Sequence, residues 1–278
     1  MANTIDQSFI TDYDSDVHVA YQQFGSKFRN TIRLKILQPG QIARFPTLGR
    51  GTATDKSRNG DVVPMNPVHS YKDVTSTDKY APEYVDKLDD IKNNIEERQL
   101  YARAGAGALG REVDLRVVTV MDATTHNSIA AGAVGLTKNK LLQAILALNS
   151  HDVPDDGDRW GALSAQAFEE FINITQVSSR DYVTDLNWTR GTQVINWRGI
   201  KWFFHSALPL STTTRSNFLY HRTSVGLAEN AAITTMVDWV PQKAAFLIDS
   251  MMSCGAVLID GEGIVKIACD ESSTALLA

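Results

Sequence analysis

The residues with the most recognisable chemical spacing are Gly105, Gly107 and Gly110, in the run Gly105-Ala106-Gly107-Ala108-Leu109-Gly110. That run matches GxGxxG, the glycine turn that lets a helix N-terminus receive the pyrophosphate of a dinucleotide. The chemistry needs a strand in front of the turn and an acidic residue at the end of a second strand about 20 residues on. The residues ahead, EERQLYARA, are strong helix formers, and no Val/Ile-rich strand leads in. The glycines therefore read as small residues on a helix face that admits another backbone. Asp152, Asp155, Asp156 and Asp158 could suggest calcium, but Pro154 interrupts them and no glutamate stands where a calcium loop would place one. They read as a solvated turn. His126, His151, His205 and His221 share no spacing that puts them on one face. HExxH and GxSxG are both absent. The tryptophans at 160, 188, 197, 202 and 239 could stack on bases, yet in a strand-rich region such rings are more often core. No catalytic residue, cofactor site or metal site is expected.

Cys254 and Cys269 are the only cysteines, with no CxxC spacing. Asp260-Gly261-Glu262-Gly263 reads as a tight turn between SCGAVLI and IVKIAC. With Gly261 and Glu262 as turn residues, Cys254 would lie opposite Cys269. A cross-strand disulfide is then open, and free buried thiols are the expectation for a protein made in a cytoplasm.

Composition narrows the function classes. The chain has 278 residues and a net charge of −5, with lysine and arginine spread throughout. Without a basic block, groove-reading DNA binding is not indicated. MANTIDQSFI lacks a signal-peptide pattern, and no apolar run reaches a membrane span. A soluble, cytoplasm-made protein is expected.

The organising element is Tyr84–Thr124. Val85, Leu88, Ile91, Ile95, Ala102, Ala106, Leu109, Val113, Val117 and Val120 recur at helical spacing, with no proline inside and Pro82 just before. One continuous helix would be about 60 Å long. A ball of this chain length is about 50 Å across. Either the helix breaks near its glycines or the molecule is flat and elongated, and the second is favoured, with a kink between Asn93 and Glu97. Upstream, residues 1–30 read as an arm whose aromatic end (Val17, Val19, Tyr21, Phe24, Phe28) anchors it. TIRLKIL (31–37) and QIARFPTLGR (41–50), the latter broken at Pro46, suggest a hairpin through Pro39-Gly40. GTATDKSRNGDVVPMNP (51–67) cannot fold alone, and VHSYKDVTSTDKY (69–80) returns with residual alternation. A two-stranded excursion of this kind needs another surface to rest on.

Downstream, LTKNKLLQAILALNS (136–150) reads as an amphipathic helix, although Lys138 and Lys140 at its start oppose the helix dipole. HDVPDDGDRWGAL leads into a strand, and SAQAFEEFIN (164–173) reads as a helix capped by Ser164. Gly191 and Gly199 punctuate a strand–turn–strand unit over 180–210. FLYHRTSVGLAEN (218–230) reads as strand then helix, and 236–273 as a terminal meander.

The order of these pieces resembles the major capsid proteins of tailed double-stranded DNA bacteriophages, particularly the short-tailed branch. Four stretches carry the resemblance: RFPTLGR at 44–50; YVDKLDDIKNNIEER with ALGREVDLRVV; DVPDDGDRWGALSAQAFEEFIN at 152–173; and GIKWFFHSALP at 199–209 followed by FLYHRTSVGLAEN. Relatives often have a proline where this chain has Ala165, and the tip at 51–67 matches least. The resemblance implies an α+β tailed-phage capsid fold, shared with encapsulins and the herpesvirus capsid floor. It assigns 1–30 to an N-terminal arm and 31–83 to an extended loop lying over a neighbouring subunit. Residues 84–130 and 232–278 form a peripheral domain with a spine helix, and 131–231 an axial domain. It implies a non-enzymatic head protein that self-assembles as hexamers and pentamers into an icosahedral shell around phage double-stranded DNA, in the virion, after assembly in the bacterial cytoplasm. Its partners would be further copies of itself, a portal, a decoration protein and a separate scaffolding protein, since the N-terminal part looks too short to contain one. Arg44 and Arg50 are the expected charged contacts between subunits, with Phe45 and Leu48 as apolar ones. An encapsulin-type compartment is the alternative function, and a nucleotide-binding enzyme using Gly105, Gly107 and Gly110 the remote one.

Overall fold

The computed structural model describes residues 22–23, 25–36, 40–88, 97–178 and 194–272. In chain order the elements are β1 (Arg33–Ile36), β2 (Ile42–Leu48), β3 (His69–Thr75), β4 (Thr77–Asp86), α1 (Glu97–Asp122), β5 (Ser128–Ile129), α2 (Lys138–Ser150), β6 (Arg159–Leu163), α3 (Ala165–Asn173) and the single turn α4 (Thr175–Ser178). They continue with β7 (Val194–Trp197), β8 (Ile200–Phe204), β9 (Leu210–Ser211), β10 (Thr214–His221), β11 (Val225–Val240), β12 (Ala245–Leu258) and β13 (Ile264–Asp270). The chain divides into two compact units. One takes in the chain up to Gly25, Lys79–Arg111 and Ile233–Met252; the other takes in Ser26–Asp78, Glu112–Ala232 and the chain from Ser253 onward.

The larger unit is built on a mixed sheet in the order β5-β13-β10-β6-β8-β7, with β9 paired to β10. β10 is central and buried on both faces from Ser216 to His221. Leu141 and Leu148 of α2, Phe171 of α3, Trp202 of β8, Leu219 of β10 and Ile267 of β13 form the apolar core on one side. The helices start where their caps predict. Ser164 Oγ accepts from Ala167 N at 3.1 Å and Thr137 Oγ1 from Lys140 N at 3.4 Å. The misplaced charge at the start of α2 has a purpose. Lys140 Nζ lies 2.7 to 3.0 Å from the carbonyls of Ala131, Val134, Gly135 and Ala268. Its three protons serve four acceptors, so it staples the 131–135 turn to β13. Burial pulls its pKa below the ordinary lysine value.

A second sheet runs β1-β11-β12-β4, with β1 parallel to the first residues of β11, Arg33 opposite Gly226. β2 and β3 form a separate antiparallel ribbon, Ile42 opposite Thr75 and Leu48 opposite His69. Four sequence expectations change here. The hairpin is β2 with β3, not 31–37 with 41–50, because β1 finds a better-buried partner in β11. Pro46 does not break β2, because a two-stranded ribbon has an outer edge where a missing N–H costs nothing. Residues 225–230 are strand, the start of β11. The terminal meander is divided, since β11 and β12 share one sheet while β13 crosses to the other.

The helical pattern is overridden at its start: Tyr84–Asp86 end β4, Lys87 and Leu88 are helical, and α1 runs from Glu97 to Asp122, while residues 89–96, and with them most of the expected kink between Asn93 and Glu97, lie outside the described residues. α1 itself is about 39 Å long. Pairing within a sheet, which buries Val85, outweighs the local helical spacing. Leu109, Val113 and Val117 do form its buried stripe.

Asp114 on α1 organises the entry of the chain into the larger unit. Its carboxylate accepts from Ser26 Oγ, from Lys27 N at 3.1 Å and from Phe28 N at 3.2 Å. His205 Nδ1 accepts from Ala207 N at 3.2 Å, which leaves the proton on Nε2 to be donated to Asp114 at 2.9 Å. Phe28, fully buried, then packs edge-on to Phe203 with ring centroids 5.4 Å apart. It is the anchoring aromatic expected at the end of the arm; Val17, Val19, Tyr21 and Phe24 lie outside the described residues. Replacing Asp114 by alanine strands four donors, two of them buried and two half-buried, and urea denaturation should show a loss of about 3 kcal/mol. Alanine at the adjacent exposed Leu115 should stay within about 0.5 kcal/mol of the parent.

Candidate functional site

The three glycines of the GxGxxG run all lie inside α1, so no strand–turn–helix exists to receive a pyrophosphate. A Cβ on Gly105 would come within 2.8 Å of Ser250 Oγ, and one on Gly110 within 2.8 Å of the Gly25 backbone. Close packing explains these two positions. The aspartate loop is likewise structural. Arg159, almost fully buried, fills it from inside and donates to the carbonyls of Val153 and Pro154 and to Asn149 Oδ1. Asp156 takes a hydrogen bond from His221 Nε2 at 3.1 Å and caps Asp158 N. Those bonds hold its carboxyl below the ordinary range. Among the described residues no cluster of three or more metal-ligating side chains forms. Trp202 is core, stacked near Phe171 with centroids 5.2 Å apart, whereas Trp239 is exposed; Trp188 lies outside the described residues.

What stands out is the β2–β3 ribbon, whose two faces differ. The inner face carries Ala43, Phe45 and Val74, which pack on Ala228, Val257 and Ile259 of the same chain. Two glycines make the seat: a Cβ on Gly226 would meet Phe45 Cζ at 2.8 Å, and one on Gly255 the Thr75 carbonyl at 2.6 Å. Phe45, 1% exposed, therefore serves its own subunit. This corrects its assignment as an inter-subunit contact, because strand alternation turns it inward while Arg44 and Leu48 turn outward.

Arg44 is paired within its strand ladder. Its Nε and Nη2 donate to the two oxygens of Asp73, directly opposite, at 2.8 and 2.9 Å, and its guanidinium lies 3.8 Å from the Tyr71 ring centroid. Leu48 is exposed and touches no core cluster. Arg50, just past the ribbon, donates to the His151 carbonyl at 2.8 Å and to Glu262 at 3.2 Å, with Asp152 at 3.6 Å. The tip that follows, 51–67, has no strand or helix and is exposed except at Gly60 and Pro67. Sequence spacing gave no sign of the Asp73 and Tyr71 partnership, since they lie 29 and 27 residues from Arg44; only the register across the ribbon reveals it.

The two cysteines do not face each other across a hairpin. Cys254 is on β12 and Cys269 on β13, in different sheets, and both are buried free thiols. The turn at 261–263 redirects the chain between sheets instead of closing a ladder.

A family described as phage capsid protein matches residues 5–271. The chain belongs to that family. Its capsid fold is shared with solved phage shells. The cyanophage P-SCSP1u capsid matches at a TM-score of 0.76 and 15% identity, covering 95% of this chain and 94% of that one. The Mycobacterium phage Che8 structure matches at 0.74 and 16%, covering 93% and 97%. The capsid of a native GTA particle matches at 0.74 and 9%, covering 97% and 99%. No curated protein matches by sequence. The phage capsid protein is thus a structural component of the virion, not an enzyme, and it joins copies of itself in a shell. The nucleotide-enzyme alternative loses its motif, and the family match is to phage capsids and not to encapsulins.

The capsid protein's thiols supply a check on the strand assignment. Burial pushes the Cys269 thiol up to about 12 from an ordinary 9.0. Alkylation at pH 8 should leave the native protein unlabelled and add two groups in urea without reductant; a mass two protons lighter, with no label, would show a disulfide. Between pH 9 and 12 the unfolded thiol has lost the proton that the folded one keeps. Its contribution to stability is therefore full below pH 9 and falls as pH rises to about 12.

Proposed function

We propose that this capsid protein builds its icosahedral shell from hexamers and pentamers around double-stranded DNA, in a short-tailed phage. Residues 1–30 act as the arm, 31–83 as the loop laid over a neighbour, 84–130 and 232–278 as the peripheral domain and 131–231 as the axial domain. A separate scaffolding protein directs assembly in the host cytoplasm, a portal occupies one vertex, and a decoration protein is a further partner. The DNA contact is non-specific, in keeping with the mild net acidity of −5.

The observation that carries this reading is the ribbon with its bare tip. A two-stranded ribbon is not stable alone, and a long loop without structure is usually functional. Here only the ribbon's inner face is covered by its own chain, while Val62, 74% exposed, Val63, Met65 and Val68 stand in solvent. A monomer gains nothing from displaying them; a wall of copies covers them.

Removing 51–67 should leave a subunit with the parent circular dichroism and melting temperature but little shell by negative-stain microscopy. Normal shells from that deletion would overturn the role of the loop. Expressed without a scaffolding protein, the full chain should give few shells of correct size.

A further inference from the structure

The tip at 51–67 contains Asn59-Gly60, the single Asn-Gly dipeptide of the chain. The backbone makes a turn from Ser57 to Gly60, in which the Gly60 N–H donates to the Ser57 carbonyl at 3.1 Å. Serine first and glycine last is the composition such a turn favours. Space requires the glycine as well, since a Cβ there would stand 2.5 Å from Ser57 Oγ. The nitrogen that follows Asn59 is therefore unshielded by any side chain of its own residue. Asn59 is exposed, and among the described residues no hydrogen bond holds its side-chain amide.

Two other asparagines precede a small residue, and both are held. Asn127, before Ser128, donates through Nδ2 to the carbonyls of Glu262 and Ile264 at 3.3 and 3.4 Å. Asn149, before Ser150, lies in α2 and accepts from Arg159 Nη1 at 2.8 Å. A side chain fixed in this way cannot swing onto its own main chain. The Ser57–Gly60 turn bond is exposed and isolated, and such bonds open at almost no cost.

We propose that Asn59 is a modification site at which the tip deamidates itself, and that a neighbouring copy laid over the tip stops the reaction. The second half rests on the shell reading; the first does not. The Gly60 nitrogen gives its proton to hydroxide and attacks Asn59 Cγ. A C–N bond forms, the Cγ–Nδ2 bond breaks, and the amide nitrogen leaves as ammonia. Water then opens the five-membered imide at one of its two carbonyls. One opening leaves a side-chain carboxylate on the original main chain; the other routes the main chain through the side chain and lengthens it by a methylene. The sum is amide plus water to carboxylate plus ammonium, with no oxidant or further reactant.

The product changes what the tip offers a neighbour. As synthesised, its charges cancel, Asp55 and Asp61 against Lys56 and Arg58. Deamidation adds an unbalanced carboxylate close to Asp61 and to the exposed Val62 and Val63. Covering those valines then requires desolvating an unpaired charge. A subunit left unassembled thus loses competence with time. One already in a shell keeps its tip, because a covered amide has neither the room to swing nor the water to open the imide.

The test holds the full chain at pH 7 and at pH 9 and reads its peptides by mass spectrometry. Asn59 should gain one mass unit, several times faster at pH 9, because hydroxide removes the Gly60 proton. Asn127 and Asn149 should not change. Nor should Asn66, whose neighbour Pro67 has no N–H to lose. Gly60→Ala should slow the gain about tenfold or more. An unchanged Asn59, or a Gly60→Ala variant that reacts at the parent rate, would overturn the site. In shells assembled with the scaffolding protein, Asn59 should react about tenfold or more slowly than in free subunits. Equal rates would overturn the protection and leave the site standing. Asn59→Asp should raise the protein concentration needed for shells about threefold or more at an unchanged melting temperature. Normal assembly by that variant would overturn the loss of competence. Normal shells from the 51–67 deletion, beside a reactive Asn59 in the free parent, would sink the role of the tip and keep the modification.

Discussion

A two-stranded ribbon has two faces, and the chain that carries it can cover only one. That constraint governs this protein. Successive side chains of β2 alternate, so a register that buries Ala43 and Phe45 must present Ile42, Arg44, Pro46 and Leu48 to the outside. No slip along the ladder can bury both sets. The inner set is held by a seat that two missing side chains create, at Gly226 and Gly255, so the ribbon cannot roll over without emptying a packed cavity. What remains outside is a face of exposed aliphatic and aromatic side chains around a self-satisfied charge pair.

The larger unit supplies a rigid base for this arrangement through buried polar staples more than through core size. Asp114 collects four donors and fixes where the chain enters. Lys140 ties a turn to β13 through four carbonyls. Glu271 receives Arg215 Nε at 2.6 Å and also binds Ser164 Oγ, so the end of β13, β10 and the cap of α3 are joined through one carboxylate. Each is satisfied, and breaking any of them leaves groups in a medium that cannot solvate them. Such staples specify one arrangement of elements, which a subunit repeated many times around a closed shell requires.

Much of the fold was legible in local pattern. The Ser164 cap, the α2 stripe, the strand–turn–strand around Gly199 and the exposed tip at 51–67 all depend on residues close in sequence. Family membership was legible too, through the order of four stretches of which none is diagnostic singly. The misjudged elements share a cause. Tyr84–Asp86 follow helical spacing but pair in a sheet, residues 225–230 look helical but begin β11, and the cysteines look opposed but part into two sheets. In each, a partner far along the chain outbids the local preference. Of the four expected contact residues, Phe45 turned inward while Arg44, Leu48 and Arg50 stayed at the surface. The partners of Arg44 were invisible without a register.

The amino-acid order alone determined that a two-stranded excursion with a polar tip precedes a long helix, and that small residues on that helix serve packing. Those are consequences of residue type and short-range period. The tertiary structure decided which strand pairs with which, hence which ribbon face is buried in the chain's own core and which stays exposed. Pairing is settled by the free energy of burying whole faces against distant segments, a quantity distributed over the entire chain and carried by no single stretch.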